Sequence, residues 1–326
     1  MILDTHVDIR WPEPPDWRGA TGQCVDAPKL RAGGVNATVF IAYVAQGARD
    51  PAGHTAAAAR AEAMLRHIAR RAEGMADAAF CTTPDALEAT VAGGKLGVLS
   101  AVENGYAMGH DLARLARWRS LGAIYLTLTH DGHNDLADSA RPRPKLGDAE
   151  SEHGGLSPLG RAALAEMNRV GLIADLSHVA KPAMLEAVQR SRLPVAVTHT
   201  ACAALCAHPR NLDDEQLDAI RAHGGVAQIT AVPAFLRAAP PHGAAQADVA
   251  AMIDHVDHAV SRIGLDHVGI SSDFDGGGGV MGWANAAETP AVTAELRRRG
   301  YGEREIGLLW AGNFLRVWRQ VLRGAS

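Results

Sequence analysis

His6 and Asp8 close the first apolar stretch of the chain, in the run Asp4-Thr5-His6-Val7-Asp8. On a β-strand, residues two apart point to the same side. An imidazole nitrogen and a carboxylate oxygen can therefore meet at one point, which is a donor pair that a divalent metal of borderline hardness accepts. One His-x-Asp spacing arises easily by chance. Here it is the first of a series: Glu103, His130, His178, His199 and Asp273 each lie at the end of a later apolar run.

The elements that must position these residues alternate along the chain. Short β-branched runs span residues 2–8, 37–44, 96–103, 123–130, 172–178, 195–199, 225–230 and 267–273. Between them lie stretches of helical period, among them 56–72, 111–121, 158–170, 182–191, 213–223 and 247–263. Most of the strand runs are almost continuously apolar, as parallel strands buried on both faces should be. Eight such units in 326 residues predict an α/β fold, a (β/α)₈ TIM barrel of the metal-dependent hydrolase type, occupying residues 1–326 as one domain. A doubly wound sheet is the fallback.

In a barrel the C-terminal strand ends converge on one mouth, where the chemistry sits. Each ionisable strand end has an ordinary structural explanation, as a satisfied core histidine or a helix cap. Seven such residues at six of the eight expected strand ends are harder to explain separately, and burying them unpaired would be costly. One zinc is satisfied by four donors. Three imidazoles and three carboxylates, with His130 besides, exceed that number and point to two ions. Glu103, on a strand between the two histidine groups, is the natural bridge, since a carboxylate can span two ions about 3.5–4 Å apart.

Composition narrows the partners. The formal charge is −4 and no basic stripe stands out, so nucleic acid is not expected as a partner. No apolar run reaches membrane-spanning length. The N-terminus has neither a basic region nor a cleavable apolar segment, which leads to the expectation of a cytoplasmic protein. Four cysteines do not make a disulfide framework. Cys202 and Cys206 could share a helical face as a metal or redox pair, but small buried residues are the favoured reading. His54, His67, His110, His242, His255 and His258 fall in helical or loop stretches and read as surface or core residues. The loop 231–246, rich in Ala and Pro, reads as a variable part of a substrate wall. Gly276–Gly279 reads as a flexible loop at the barrel mouth, because no Gly-Lys-Ser/Thr follows it to make a phosphate cradle.

The chain resembles the membrane dipeptidase (renal dipeptidase) family of zinc metallopeptidases, within the amidohydrolase-type barrels. The resemblance runs through residues 4–8, 30–35, 102–105, 126–130, 137–139, 155–160, 175–179, 198–200, 209–211, 269–276 and 312–316. It implies that His6 and Asp8 hold one zinc, that His178 and His199 hold the other, and that Glu103 bridges them. His130 would then face the scissile carbonyl, Asp273 would handle the proton and Arg210 would hold the terminal carboxylate of a dipeptide. The resemblance also implies a homodimer. Secreted members of the family carry a signal peptide and often a lipid-anchor signal. Neither is read here, so no membrane anchor is expected.

The expected reaction is hydrolysis of L-Xaa-L-Xaa and L-Xaa-D-Xaa dipeptides. Two zinc ions, or other divalent metals, would share a water that loses a proton near neutral pH and attacks the carbonyl. Two alternatives remain. One is another amidohydrolase-type hydrolase, such as a lactonase or deaminase; those relatives commonly use a carboxylated lysine on the fourth strand, whereas here Glu103 supplies the carboxylate from the third. The other is a metal-bound accessory protein without turnover, against which Asp273 argues. For Arg210 the ordinary explanation is a salt bridge to Asp213 or Asp214.

Overall fold

The computed structural model describes residues 1–240 and 242–325. Its strands are β1 (Leu3–Asp8), β2 (Ala37–Tyr43), β3 (Ala78–Phe80), β4 (Leu96–Glu103), β5 (Ala123–Thr127), β6 (Ile173–Asp175), β7 (Ala196–Thr200), β8 (Val226–Ile229) and β9 (Val268–Ile270). Every pairing is parallel, in the order β1-β2-β4-β5-β6-β7-β8-β9. The circle is drawn together at its mouth, where Asp8 N donates to Phe274 O at 2.9 Å and Asp273 N donates to His6 O at 3.1 Å. Eight parallel strands thus form a nearly closed (β/α)₈ barrel. The ninth strand, β3, pairs with β4 outside this path. It is three residues long and Ala-rich, too short to carry a readable period.

Helix ends follow their caps. The helix Pro158–Val170 has the expected bounds because Ser157 accepts from Gly160 N and Gly171 leaves the helix at φ 76°. The first long helix starts at Pro51, five residues before the expected 56, because Asp50 accepts from Gly53 N and Pro51 fits the first turn. Three strands end early: β5 at Thr127, β6 at Asp175 and β9 at Ile270. His130, His178 and Asp273 therefore stand on the loops after the strands, not on the strands themselves.

One apolar cluster joins Leu3, Ile41, Leu99, Ala101, Tyr125, Ile173, Ala196 and Val226 to Phe314, Trp318 and Val321. These strand residues lie on the inner face, and the helix Asn313–Gly324 seals the barrel at the N-terminal ends of its strands. The surrounding helices cover the outer face, which carries Val7, Phe40, Val102 and Val197. In β1, Leu3 is thus inside and Val7 outside although four residues separate them. A register shift between Asp4 and Val7 reverses the alternation, so His6 and Asp8 turn inward. A second shift, between Val197 and Thr200, does the same for His199 on β7.

Cys202 and Cys206 are buried and free. They lie in a turn, with Cys206 N donating to Cys202 O at 3.2 Å, and share no helical face.

The sealing helix is tied in by Asn313, which is buried and donates to Leu265 O at 2.7 Å and Val268 O at 2.8 Å. Asn313→Ala leaves both carbonyls without this donor and should destabilise the fold by about 1–3 kcal/mol. A lowered urea midpoint with the active-site geometry intact checks this.

Candidate active site

The residues singled out from the sequence meet at the barrel mouth. Glu103, at the end of β4, is the centre: His6 Nε2, His178 Nε2 and His199 Nε2 lie 3.7, 3.4 and 3.5 Å from its Oε1. That oxygen is buried and has no hydrogen-bond partner. Three groupings have donor atoms close enough to share an ion: His6–Glu103–His199, Glu103–His130–His178 and His6–Asp8–Asp273.

The outer nitrogens explain how the inner ones are turned. Tyr125 Oη donates to Thr5 O at 2.8 Å, so it accepts from His6 Nδ1 at 3.0 Å. Thr198 Oγ1 donates to Asp175 Oδ2 at 2.8 Å, so it accepts from His199 Nδ1 at 3.0 Å. Asp131 Oδ1 lies 3.4 Å from His178 Nδ1. The His6 and His199 rings thus have Nδ1 engaged and present Nε2 to the Glu103 carboxylate, and His178 presents Nε2 to it from 3.4 Å. Hydrogen bonds to the outer ring nitrogens orient metal-binding histidines in this way. A buried carboxylate ringed by imidazole nitrogens calls for positive charge, which a proton on His6 or a metal ion can supply.

Charge balance gives the same answer. Burial alone would raise the Glu103 carboxyl, but the positive charge of His6, which Glu103 in turn pushes up to about 9 against burial, and hydrogen bonds from His178 and His6 hold Glu103 well below the usual carboxylate range. Burial, then Glu103, pushes Asp8 well above that range. Burial chiefly pushes Asp273 up to about 7. The cluster cannot keep its carboxylates ionised together unless positive charge joins them. The donor set of imidazoles and carboxylates fits divalent ions of the zinc class.

Local backbone makes the convergence possible. His178 at φ 67° and Asp273 at φ 60° occupy the left-handed region, which side-chain-bearing residues seldom adopt. The expected flexible loop at Gly276–Gly279 is instead a bonded turn at its start, where the N–H groups of Gly276, Gly277 and Gly278 all donate to Asp273 O, at 3.2, 3.1 and 2.7 Å. A Cβ at Gly276 would stand 2.1 Å from Asp8 Oδ2 and 2.6 Å from Asp273 Oδ1. Only glycine lets the two carboxylates close over that turn.

His130 stacks on His178 at a ring-centroid distance of 4.1 Å and tilts toward Tyr43 at 4.7 Å. Burial and the neighbouring His178 lower it to about 3, so its imidazole stays neutral. Arg210 is only 3% exposed. Its Nη2 donates to His199 O at 3.2 Å, its guanidinium lies 5.3 Å from the Phe235 ring centre, and its Nε is buried without a partner. The salt bridge considered for it is absent among the described residues: Asp213 pairs with Lys181, and Asp214 with His258 and Arg262. Burial lowers Arg210 to about 10, which leaves it charged at neutral pH.

These groups line a cavity of about 790 Å³, together with Trp11, Tyr43, His208 and Phe235. Val232, Ala234 and Phe235 bring the start of the loop 231–246 into its wall, while Pro241 of that loop lies outside the described residues. Sequence reading missed Tyr125, Asp131, Asp175 and Thr198. None ends an apolar run in a way that marks it, although Asp131 directly follows His130 and Asp175 opens the segment that contains His178.

Fold and site together define the class: a parallel (β/α)₈ barrel of the metal-dependent hydrolase type with a buried His/carboxylate centre. A family model described as membrane dipeptidase (peptidase family M19) matches residues 1–325. The chain belongs to that family. It is 36% identical over 229 residues to Dipeptidase tcpJ of Claviceps purpurea (strain 20.1), covering 70% of this chain and 52% of the relative. The chain spans about half the length of the curated relatives it matches. Among solved structures, the probable dipeptidase PvdM from Pseudomonas aeruginosa matches with a TM-score of 0.91 and 28% identity, over 100% of this chain and 96% of the other. A metallo peptidase from Rhodobacter sphaeroides, liganded with a phosphinate mimic of the dipeptide L-Ala-D-Ala, matches with a TM-score of 0.82 and 25% identity, over 98% and 99%.

Gly276→Ala should separate fold from metal binding. The added methyl displaces Asp8 and Asp273 and should weaken divalent-metal binding about 10–100-fold. Metal titration beside a circular-dichroism melt checks this; unchanged affinity would mean that Asp8, the carboxylate nearest the added methyl, does not serve the metal.

Proposed function

We propose that this protein is a metal-dependent dipeptidase that hydrolyses L-Xaa-L-Xaa and L-Xaa-D-Xaa dipeptides on a centre of two divalent ions, zinc first. The observation that carries this reading is the buried, unpartnered Glu103 Oε1 facing three imidazole Nε2 atoms. His6 and Asp8 would hold one ion and His178 and His199 the other, with Glu103 shared. When bound, such ions supply Lewis acidity, which lowers the pKa of a water and polarises a carbonyl. Glu103 comes from the strand before β5, and β5 has no lysine to be carboxylated, which favours a peptidase over a lactonase-type relative. Among the described residues no helix is long and apolar enough to cross a membrane.

The chain's own residues supply the rest. Arg210 presents a buried guanidinium with an unused Nε to the cavity. A carboxylate is the group a guanidinium fork grips with two parallel bonds. Placed one residue beyond the scissile bond, that grip demands a free C-terminus and restricts hydrolysis to dipeptides. The neutral His130 ring can donate one hydrogen bond to the oxygen that gains charge in the transition state. Asp273, a buried carboxylate at the mouth beside His6 and Asp8, is suited to accept a proton from the attacking water and pass it to the departing amine. The ligand of the Rhodobacter relative, a mimic of L-Ala-D-Ala, supports a D residue at the second position.

Asp273→Asn should fold, keep its metals by elemental analysis, and lose about 10²–10⁴-fold in kcat, because the amide cannot carry the proton. Near-normal kcat across the pH range would remove Asp273 from the mechanism. Arg210→Lys should lose the two-bond grip and raise KM for dipeptides. The wild type should cleave a dipeptide but barely touch its C-terminal amide or the corresponding tripeptide. Equal kcat/KM for a dipeptide and its amide would refute the carboxylate clamp.

A further inference from the structure

A second group of metal-type donors stands apart from the active site. His54 lies in the first turns of the helix Pro51–Arg70, His110 follows the short helical turn after β4, and Asp135 lies on the loop after β5. His54 Nε2 is 3.0 Å from Asp135 Oδ2, and His110 Nε2 is 3.6 Å from Asp135 Oδ1. The imidazoles stand beside each other, with ring centroids 5.4 Å apart. One donor atom from each residue falls within 4.8 Å of the other two. Tetrahedral zinc with bonds of 2.0–2.2 Å sets its donors about 3.3 Å apart; the two nitrogen–oxygen gaps, one to each oxygen of Asp135, lie near that spacing.

The surroundings hold the donors in place. Gly109, at φ 56°, has the His54 side chain against its backbone; a Cβ there would stand 2.9 Å from His54 Cβ. This close approach brings His54 beside His110. Neighbouring cations are engaged elsewhere: Arg114 donates to the carbonyls of His54, Ala107 and Met108, and Arg49 pairs with Glu152. His54 is buried, Asp135 is half-buried and the His110 side chain is 70% exposed. Two fixed donors and one on the surface make a site that fills from solvent and keeps a coordination position for water. Imidazole with carboxylate selects zinc, cobalt or nickel over magnesium or calcium.

We propose that His54, His110 and Asp135 form a peripheral binding site for a divalent transition metal of the zinc class, distinct from the centre at the barrel mouth. An ion there would clamp three neighbouring connections. One of them carries Asn134, which donates to Asn104 Oδ1 and Leu128 O directly behind Glu103.

The test is a buffered Zn²⁺ or Co²⁺ titration of the full chain against a chromophoric chelator, comparing wild type with His110→Ala and Asp135→Asn. His110 is exposed and Asn keeps the shape of Asp, so both variants should fold. Each should bind one equivalent fewer than the wild type and lose the metal-induced rise in Tm that this equivalent gives, while dipeptide turnover is unchanged. The readout is a difference between proteins, so it holds whatever number of ions the barrel mouth takes. Equal stoichiometry in wild type and both variants would overturn the proposal and leave only a histidine–carboxylate hydrogen bond. Loss of turnover in step with the lost equivalent would overturn the separation from the active site.

Discussion

The structure turns on one buried oxygen. Glu103 Oε1 sits inside the barrel mouth with three imidazole nitrogens around it and no hydrogen-bond partner. A bare carboxylate among imidazole nitrogens in a low-dielectric site is unstable unless positive charge joins it. Much else near the mouth can be understood from that requirement. Tyr125, Thr198 and Asp131 address the outer ring nitrogens, Asp8 and Asp273 add negative charge, and the glycine turn after Asp273 makes room for both carboxylates.

The barrel is the scaffold that makes such a cluster affordable. Its apolar interior is sealed from below by Phe314, Trp318 and Val321, so the polar demand is confined to the C-terminal rim. Strain gathers there as well: among the described residues the four non-glycine residues with positive φ, Asn104, His178, Asp273 and Asp275, all flank strand ends at the mouth. Positions of this kind persist where the surroundings over-determine them. Asp275 shows how: it accepts from Cys24 N and Val25 N and so ties the loop after β1 to the turn below Asp273.

Arg210 and Asp131 illustrate two uses of charge at the same rim. Asp131 is satisfied twice over, by Arg141 and Arg143, and turns its other oxygen to His178. Arg210 is the reverse case. It is buried, Asp213 and Asp214 close to it in sequence are paired elsewhere, and part of its guanidinium has no partner. A paired charge holds a neighbour in place; a buried charge with an unused donor is suited to a ligand.

The amino-acid order was enough to locate the eight barrel strands, their alternation with helices and seven of the residues at the mouth. Parallel barrel strands are buried on both faces and so are written as apolar runs, and a ligand at the end of such a run is visible without knowing its neighbours. Tertiary contacts decided the rest. Whether His6 and His199 face inward depends on register shifts against neighbouring strands, and alternation counted from Leu3 would have turned His6 outward. The ends of β5, β6 and β9, the brief β3, and the partners of the ring nitrogens follow from pairing across tens of residues. His54 and His110 read as surface or core residues and Asp135 drew no reading, because the three lie on separate connections that only folding brings side by side.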